Sequence, residues 1–497
     1  MTIELNPERT RRALVVGGGP VGALTALSLE KRGWDVELWE ARDDPRGRTI
    51  AMTNLRSINM NISSRGLAAL ASVDPALADL LLSESIPMPS RLIHHLDGHR
   101  EAQLYDPLRG QCSNSISRSV LNQRLVEALP KSIQCRFNTK LVRVDWANNV
   151  AYGRETRPGA ALGTEQTSGL AEGSVEVPFD LILGADGSWS AVRGQMMRAS
   201  RVDFAQSFIA HAYVELHMPP INDDWAMPPN HLHIWPRRRF MLIALPNKDK
   251  SFTLTLFAPF EEIAALETRA DAEAFFSTEF SDAYKIVGSR MVDDFMSNPR
   301  GNLVTISCKP GTYRDRCALL GDAWHSMVPF YGQGLNCGLE DVRVLGSYLD
   351  RFGVGPTTTN KQGETDPNLE ACLATYASER SADLDAICQL AMDNYTEMRS
   401  SVLNPLYHLR RAVDYTLTRL IPSRPAALDG PDPFPTKTVR GWTALYDMVT
   451  FRPDIGYAEA RRREAWQKHV VHSAAYAGLA AVVGAGLFAA RHFQSRR

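Results

Sequence analysis

The sequence predicts an α/β fold in which a Rossmann-like dinucleotide-binding domain carries an antiparallel-sheet domain, followed by a C-terminal helical segment that ends in a transmembrane helix. Three observations point there. A Gly17-x-Gly19-x-x-Gly22 turn joins an apolar run to a helix-forming run, residues 211–257 alternate in strand fashion, and residues 474–490 carry no charge.

The first element is the apolar run Ala13 to Val16, and helix-forming residues Ala23 to Lys31 follow the glycine turn. Gly33 closes that helix and Val36 to Trp39 forms a second strand ending in Glu40. Strand, tight turn, helix and acid-tipped strand make a βαβ unit. Its glycines let a pyrophosphate approach the backbone and its acid, Glu40, is placed to accept hydrogen bonds from a ribose. A helix is predicted over Arg65 to Leu82 and another over Ser119 to Leu129, while residues 154–173 lack periodicity and predict a surface loop. The clearest strands of the second sheet are His231-Leu232-His233-Ile234-Trp235 and Met241-Leu242-Ile243-Ala244-Leu245. Cys317 to Leu320 is a buried strand delivering Asp322, and after a polar loop at 353–367 the chain from Leu369 to Tyr407 predicts helix throughout.

These elements divide the chain into five parts. Residues 1–205 begin the dinucleotide-binding domain, with an inserted segment 50–115 reaching the substrate site; 206–300 form the antiparallel sheet; 301–350 close the first domain; 351–468 are helical; and 469–497 are the membrane anchor.

Composition excludes several functions. With a formal net charge of -1, 44% hydrophobic and 22% charged residues, the chain is neither disordered nor suited to nucleic acid, so small molecules are its partners. Seven scattered cysteines without a C-x-x-C pair argue against a disulfide framework and against a zinc site. There is no Ser/His/Asp or paired-carboxylate signature. No secretory signal precedes the first strand, and the uncharged 474–490 stretch lies between Lys468-His469 and Arg491, Arg496 and Arg497.

Two further motifs bear on which dinucleotide is held: Leu181-Ile182-Leu183-Gly184-Ala185-Asp186-Gly187 and Gly321-Asp322-Ala323-Trp324-His325-Ser326. Either alone is compatible with a plain strand-ending turn. All three in this order resemble the flavoprotein monooxygenases of the aromatic-hydroxylase type, whose single dinucleotide-binding domain holds FAD. Within that class, Arg56-Ser57-Ile58-Asn59, Ser64-Arg65-Gly66, Ile86-Pro87-Met88, His231 to Pro236 and Met241-x-Ile243-Ala244-Leu245-Pro246-Asn247 in series are similar to the kynurenine 3-monooxygenase family.

The resemblance implies that FAD is bound by Gly17, Gly19, Gly22, Glu40, Arg42, Arg118, Asp186, Asp322, Gly334, Leu335 and Asn336, and that the loop Pro329, Phe330, Gly332, Gln333 and Gly334 lies against the flavin ring. It implies a substrate site of Arg91, Tyr105, Asn394 and Tyr446, with Arg91 and Tyr105 holding the carboxylate of L-kynurenine. Phe330 and the Leu232 to Trp235 strand are candidates for apolar walls. Catalysis then belongs to the cofactor: NADPH, a transient co-substrate without a second glycine fingerprint, reduces FAD, and O2 gives a flavin C4a-hydroperoxide that hydroxylates the ring in tryptophan catabolism. The resemblance also implies the mitochondrial outer membrane, with the catalytic part facing the cytosol. A ring hydroxylase of quinone synthesis, a lipid epoxidase and a non-catalytic flavin-binding scaffold remain alternatives. Trp324, Ser326 and Cys337 depart from the family pattern beside the flavin.

Overall fold

The computed structural model describes residues 8–47, 59–156 and 174–494. Arg56, Ser57 and Ile58 and most of the 154–173 loop lie outside these. Two sheets organise the molecule. The first has six strands in the order Thr312–Tyr313, Cys317–Leu319, Leu181–Gly184, Arg12–Val16, Asp35–Trp39 and Gln134–Arg136, parallel except at the Thr312–Tyr313 edge. Its central strands are apolar on both faces because helices cover both. Ala13, Leu14, Val15, Leu181, Ile182 and Leu183 have no exposed surface. The three carboxyl ends at Val16, Gly184 and Leu319 lie side by side, the place where an open α/β sheet binds its ligand.

The second sheet has seven strands in the order Gly301–Lys309, Asp203–Met218, Phe252–Pro259, Phe240–Pro246, His231–Arg237, Ser90–His94 and Arg100–Leu104. It is not antiparallel throughout: His231–Arg237 pairs in parallel with Ser90–His94, which the 50–115 insertion supplies. Side chains alternate between two buried faces. Ala212, Val214 and Leu216, with Leu254 and Leu256, pack under the helices Arg269–Glu279 and Ser289–Ser297, whereas Phe257 and Met241 join the larger core on the other face.

Prolines redraw two predicted helices. The first stops at Val73 and restarts at Pro75, with Asp74 capping the second piece through the backbone N–H groups of Ala76 and Leu77. The second runs over Pro367–Arg399, breaks through a single turn at Ser401–Leu403, and restarts as Pro405–Leu420 under an Asn404 cap. Proline lacks the N–H a continuous helix needs, but its fixed φ suits a first turn.

The chain's last helix, Tyr457–Gln494, has a buried root at Tyr457, Ala460 and Gln467 and an exposed run at residues 472–478. Among the described residues no helix is long and apolar enough to cross a membrane.

Candidate functional site

The glycine turn is built as its sequence requires. Gly17 has φ +105°, and a Cβ there would sit 2.4 Å from the Ala185 carbonyl oxygen; a Cβ on Gly22 would sit 1.8 Å from that of Gly17. Gly19 has open space where its side chain would be. The Pro20–Lys31 helix begins without a side-chain cap, so its first amides are left for an anion. Glu40 Oε2 accepts the Gly18 N–H at 2.6 Å and Oε1 the Arg42 N–H at 2.8 Å. The carboxylate therefore stands over the turn, and the Arg42 side chain is exposed at its rim.

Asp186 Oδ2 accepts the N–H groups of Ala191 and Val192, while its buried Oδ1 has no partner among the described residues, and burial raises its pKa. Asp322 is solvent-accessible yet ringed by protein, the mark of a group lining a deep cleft, and that setting raises its pKa too. Arg118 lies close enough for its charge to act on Asp322. The Gly321–Asp322 turn is pinned from behind by Asp341, whose Oδ2 accepts from Gly321 N–H at 2.9 Å and pairs with His325 Nε2 at 2.5 Å. His325, Cys337 and Asp341 together have metal-ligand chemistry, but the Arg380 guanidinium touches both Asp341 and Cys337 and already supplies the cation.

The loop Pro329–Tyr331 leads through left-handed Gly332 into the Gly334–Arg351 helix, which also starts without a side-chain cap. Gln333 Oε1 accepts from the Tyr457 hydroxyl, and its Nε2 has no partner among the described residues. Asn336 is turned inward: Nδ2 donates to the carbonyls of Asn61 and Gly332, and Oδ1 accepts Ser63 N–H. Its side chain holds the loop, and only its backbone is left for a cofactor. Gly334 and Leu335 sit half-buried at the helix start. Open space beside Gly19, two uncapped helix starts, an acid lining the cleft and two orphaned polar atoms fit FAD.

Around this cleft the predicted substrate residues come together. Arg91 is buried, its guanidinium 5.6 Å from the Tyr105 ring and 5.1 Å from Tyr446, and those rings stack at 4.9 Å and 6°. Burial alone would lower the Arg91 pKa, but the Glu397 carboxylate beside it carries it well above its ordinary value. Burial pushes the Tyr105 and Tyr446 hydroxyls up, so both stay protonated. Asn394 is nearby, but its amide donates to Phe330 O at 2.8 Å and so supports the flavin loop.

Three neighbours were not assigned to the substrate site from the sequence. Glu397 accepts from Arg91 Nη1 at 2.8 Å and from Tyr407 at 2.9 Å, and Tyr331 stacks on Tyr446. Helical spacing from Asn394 to Glu397 could have flagged the glutamate as sharing a face. Phe330, one candidate for an apolar wall, is buried and stacks on Tyr395 at 3.9 Å. Trp235 lies on the other side of the sheet: strand alternation sends it to the opposite face, where it donates to Asp282. Trp324 is accommodated by Gly311, where a Cβ would lie 2.1 Å from the indole, and donates to Cys308 O.

Comparison with known proteins agrees with this geometry. Residues 10–389 match the FAD binding domain family. The chain is 59% identical over 98% of its length, and 98% of the relative's, to a kynurenine 3-monooxygenase of Cryptococcus neoformans var. neoformans serotype D. The chain belongs to the kynurenine 3-monooxygenase family. Another member, from Candida albicans, is 38% identical over 99% of this chain and 100% of its own. In fold, this family member is similar to 2-methyl-3-hydroxypyridine-5-carboxylic acid oxygenase, with TM-score 0.58 and 20% identity over 80% of this chain and 95% of that one. It is likewise similar to Klebsiella pneumoniae HpxO complexed with FAD and uric acid, with TM-score 0.57 and 19% identity over 81% of this chain and 93% of that one.

Proposed function

We propose that the chain is an FAD-dependent monooxygenase that hydroxylates L-kynurenine to 3-hydroxy-L-kynurenine at the expense of NADPH and O2. The observation that carries this reading is the buried Arg91 within its tyrosine cage, facing Glu397. A guanidinium and a carboxylate side by side match the carboxylate and ammonium of an α-amino acid, and the aromatic rings suit the remainder of the substrate. A quinone or a lipid offers no charge to repay opening that ion pair, which disfavours the other monooxygenase readings.

FAD, when bound, supplies the redox chemistry that makes an oxidant from O2 and NADPH. The residues supply the rest. Arg91 and the tyrosine hydroxyls fix the amino-acid end, Phe330 and Tyr395 wall the cleft against water, and the uncapped start of the Gly334–Arg351 helix offers amides to negative charge at the ring. The test is kynurenine-stimulated NADPH oxidation measured together with 3-hydroxykynurenine. Matched rates support the reading; peroxide without hydroxylated product would mark a scaffold that only holds flavin.

We also propose that the C-terminal part of the Tyr457–Gln494 helix tethers the enzyme to the mitochondrial outer membrane with its catalytic body in the cytosol. Support lies in the uncharged 474–490 stretch and the arginines that follow it. Carbonate extraction of the full chain tests it: release into the aqueous phase rejects an integral tail.

A further inference from the structure

A hairpin and a helix bring metal-ligating side chains together beside the strand that carries Arg91. The hairpin joins Ser90–His94 to Arg100–Leu104 and closes with the His95 N–H on the His99 carbonyl at 2.9 Å. Ile93 pairs with Glu101 across it, so strand alternation puts His95, His99 and Glu101 on one face. The His95 and His99 rings have their centres 5.4 Å apart. His408, on the Pro405–Leu420 helix, faces the same Glu101 carboxylate.

The spacing around Glu101 is not that of a closed ion pair. His95 Nε2 stands 3.7 Å from Oε2 and His408 Nδ1 stands 3.6 Å from Oε1, whereas an imidazolium hydrogen-bonded to a carboxylate closes to about 2.7–2.9 Å. The hydrogen of His408 is accounted for elsewhere: its Nε2–H donates at 3.0 Å to the Val402 carbonyl, which can only accept. Neutral His408 therefore turns the lone pair of Nδ1 toward an anion. His95 Nε2 has no hydrogen-bond partner among the described residues. Nitrogen atoms that flank a carboxylate in this way call for a cation, and neither arginine nor lysine supplies it: among the described residues the ion-pair partners of Glu101 are these two histidines.

We propose that His95, Glu101 and His408 form a binding site for a divalent ion of the zinc class, with the exposed His99 or water as a further ligand. Imidazole nitrogens with one carboxylate suit zinc better than magnesium or calcium, which take oxygen. Bonds of about 2.0–2.2 Å at tetrahedral to trigonal angles set ligand atoms about 3.3–3.7 Å apart, the separation found on both sides of Glu101. A backbone carbonyl on the far nitrogen, as Val402 provides for His408, is the contact that orients a ligating ring. Gln103 Nε2 donates to Glu101 Oε1 at 3.1 Å and steadies the carboxylate. The side chains of Glu101 and His408 keep 34% and 37% of their surface, which leaves them room to close on an ion. The buried His325, Cys337 and Asp341 group makes no such demand, because Arg380 already meets it. A bound ion would fasten the helix to the hairpin. Both ends of that fastening adjoin the clamp: Arg91 stands on the strand that enters the hairpin, and Tyr407, next to His408, donates to Glu397.

The test uses the full-length, FAD-loaded enzyme, stripped with a chelator, dialysed and titrated with zinc chloride in a calorimeter. The expected result is about one Zn2+ per chain that is lost in the variants, H408A and H95A each weakening it by about 100-fold or more while flavin content stays the same. E101Q, which keeps the shape and removes the charge, should also weaken it and serves if an alanine variant does not fold. Co2+ in place of zinc should give absorption to the red of the flavin bands in the wild type and not in H95A/H408A. Hydrogen exchange should slow in the hairpin and in the first turns of the Pro405–Leu420 helix when zinc is added to the wild type only. No zinc binding, or equal binding by the wild type and H95A/H408A, overturns the proposal.

Discussion

Arg91 shows what one residue contributes and how far it was legible. It was visible beforehand because a neighbouring Ile86-Pro87-Met88 motif located it, and the structure gives it a carboxylate partner in Glu397 that no motif announced. Replacing Arg91 by alanine removes a charge-assisted hydrogen-bonding partner worth roughly 1.5–3 kcal/mol, so kcat/KM for kynurenine should fall about 10- to 150-fold with FAD retained. R91K should recover little of this, because an ammonium lacks the planar fork. Steady-state kinetics with flavin occupancy from absorbance checks both. Glu397→Gln belongs to the same pair: the zwitterionic substrate should lose affinity while its desamino analogue should not, and equal losses would contradict a role in meeting the ammonium. Asn394 has a tie to the flavin loop that the sequence did not show. Its partner is a backbone carbonyl, Phe330 O, and a main-chain acceptor leaves no trace in side-chain patterns.

At the scale of elements, the short-range rules read well and the long-range ones did not. Strand, glycine turn and helix follow from local sterics, as the Gly17 and Gly22 contacts show. Gly22→Ala should therefore abolish flavin retention, seen as colourless protein whose folded core persists by circular dichroism. Proline punctuation at Pro75 and Pro405 was equally local, and the periodic pattern ran over it because apolar residues recur on both sides of each break. What could not be read was the buried charge cluster that joins distant helices. Arg65 is fully buried on the Ser64–Val73 helix, pairs with Glu340 at 2.6 Å, and donates to the carbonyls of Met448, Val449, Arg452 and Ile455. Those carbonyls close the turn that leads into the last helix, so one guanidinium fastens three segments. Arg65→Met strands Glu340 beside fewer cations and leaves carbonyls without donors; a loss of roughly 3–5 kcal/mol in denaturant unfolding is expected. A loss below about 1 kcal/mol would mean that Arg343 and Arg380, which also touch Glu340, take over.

For the whole molecule, the question is whether the C-terminal helix is part of the catalytic body or an appendage. Its root is body: Tyr457 donates to Gln333 in the flavin loop, the Ala458 N–H is accepted by Asp383, and Gln467 is fully buried. Its continuation at 472–478 is exposed, so ordering it costs backbone entropy with no burial to offset it in water. A helix that leaves the core in this way needs either a partner surface or a lipid one. Two truncations separate the roles. A chain ending at residue 473 should keep its flavin and its turnover and move from the membrane fraction to the aqueous one. A chain ending at residue 456 should lose flavin even in detergent, because Gln333 loses the tyrosine that accounts for its carbonyl and Arg65 loses the ring 4.1 Å from its guanidinium. Loss of flavin in the longer chain as well would show that the exposed run is held against the body in the working enzyme, and the division between a buried root and a free end would then be wrong.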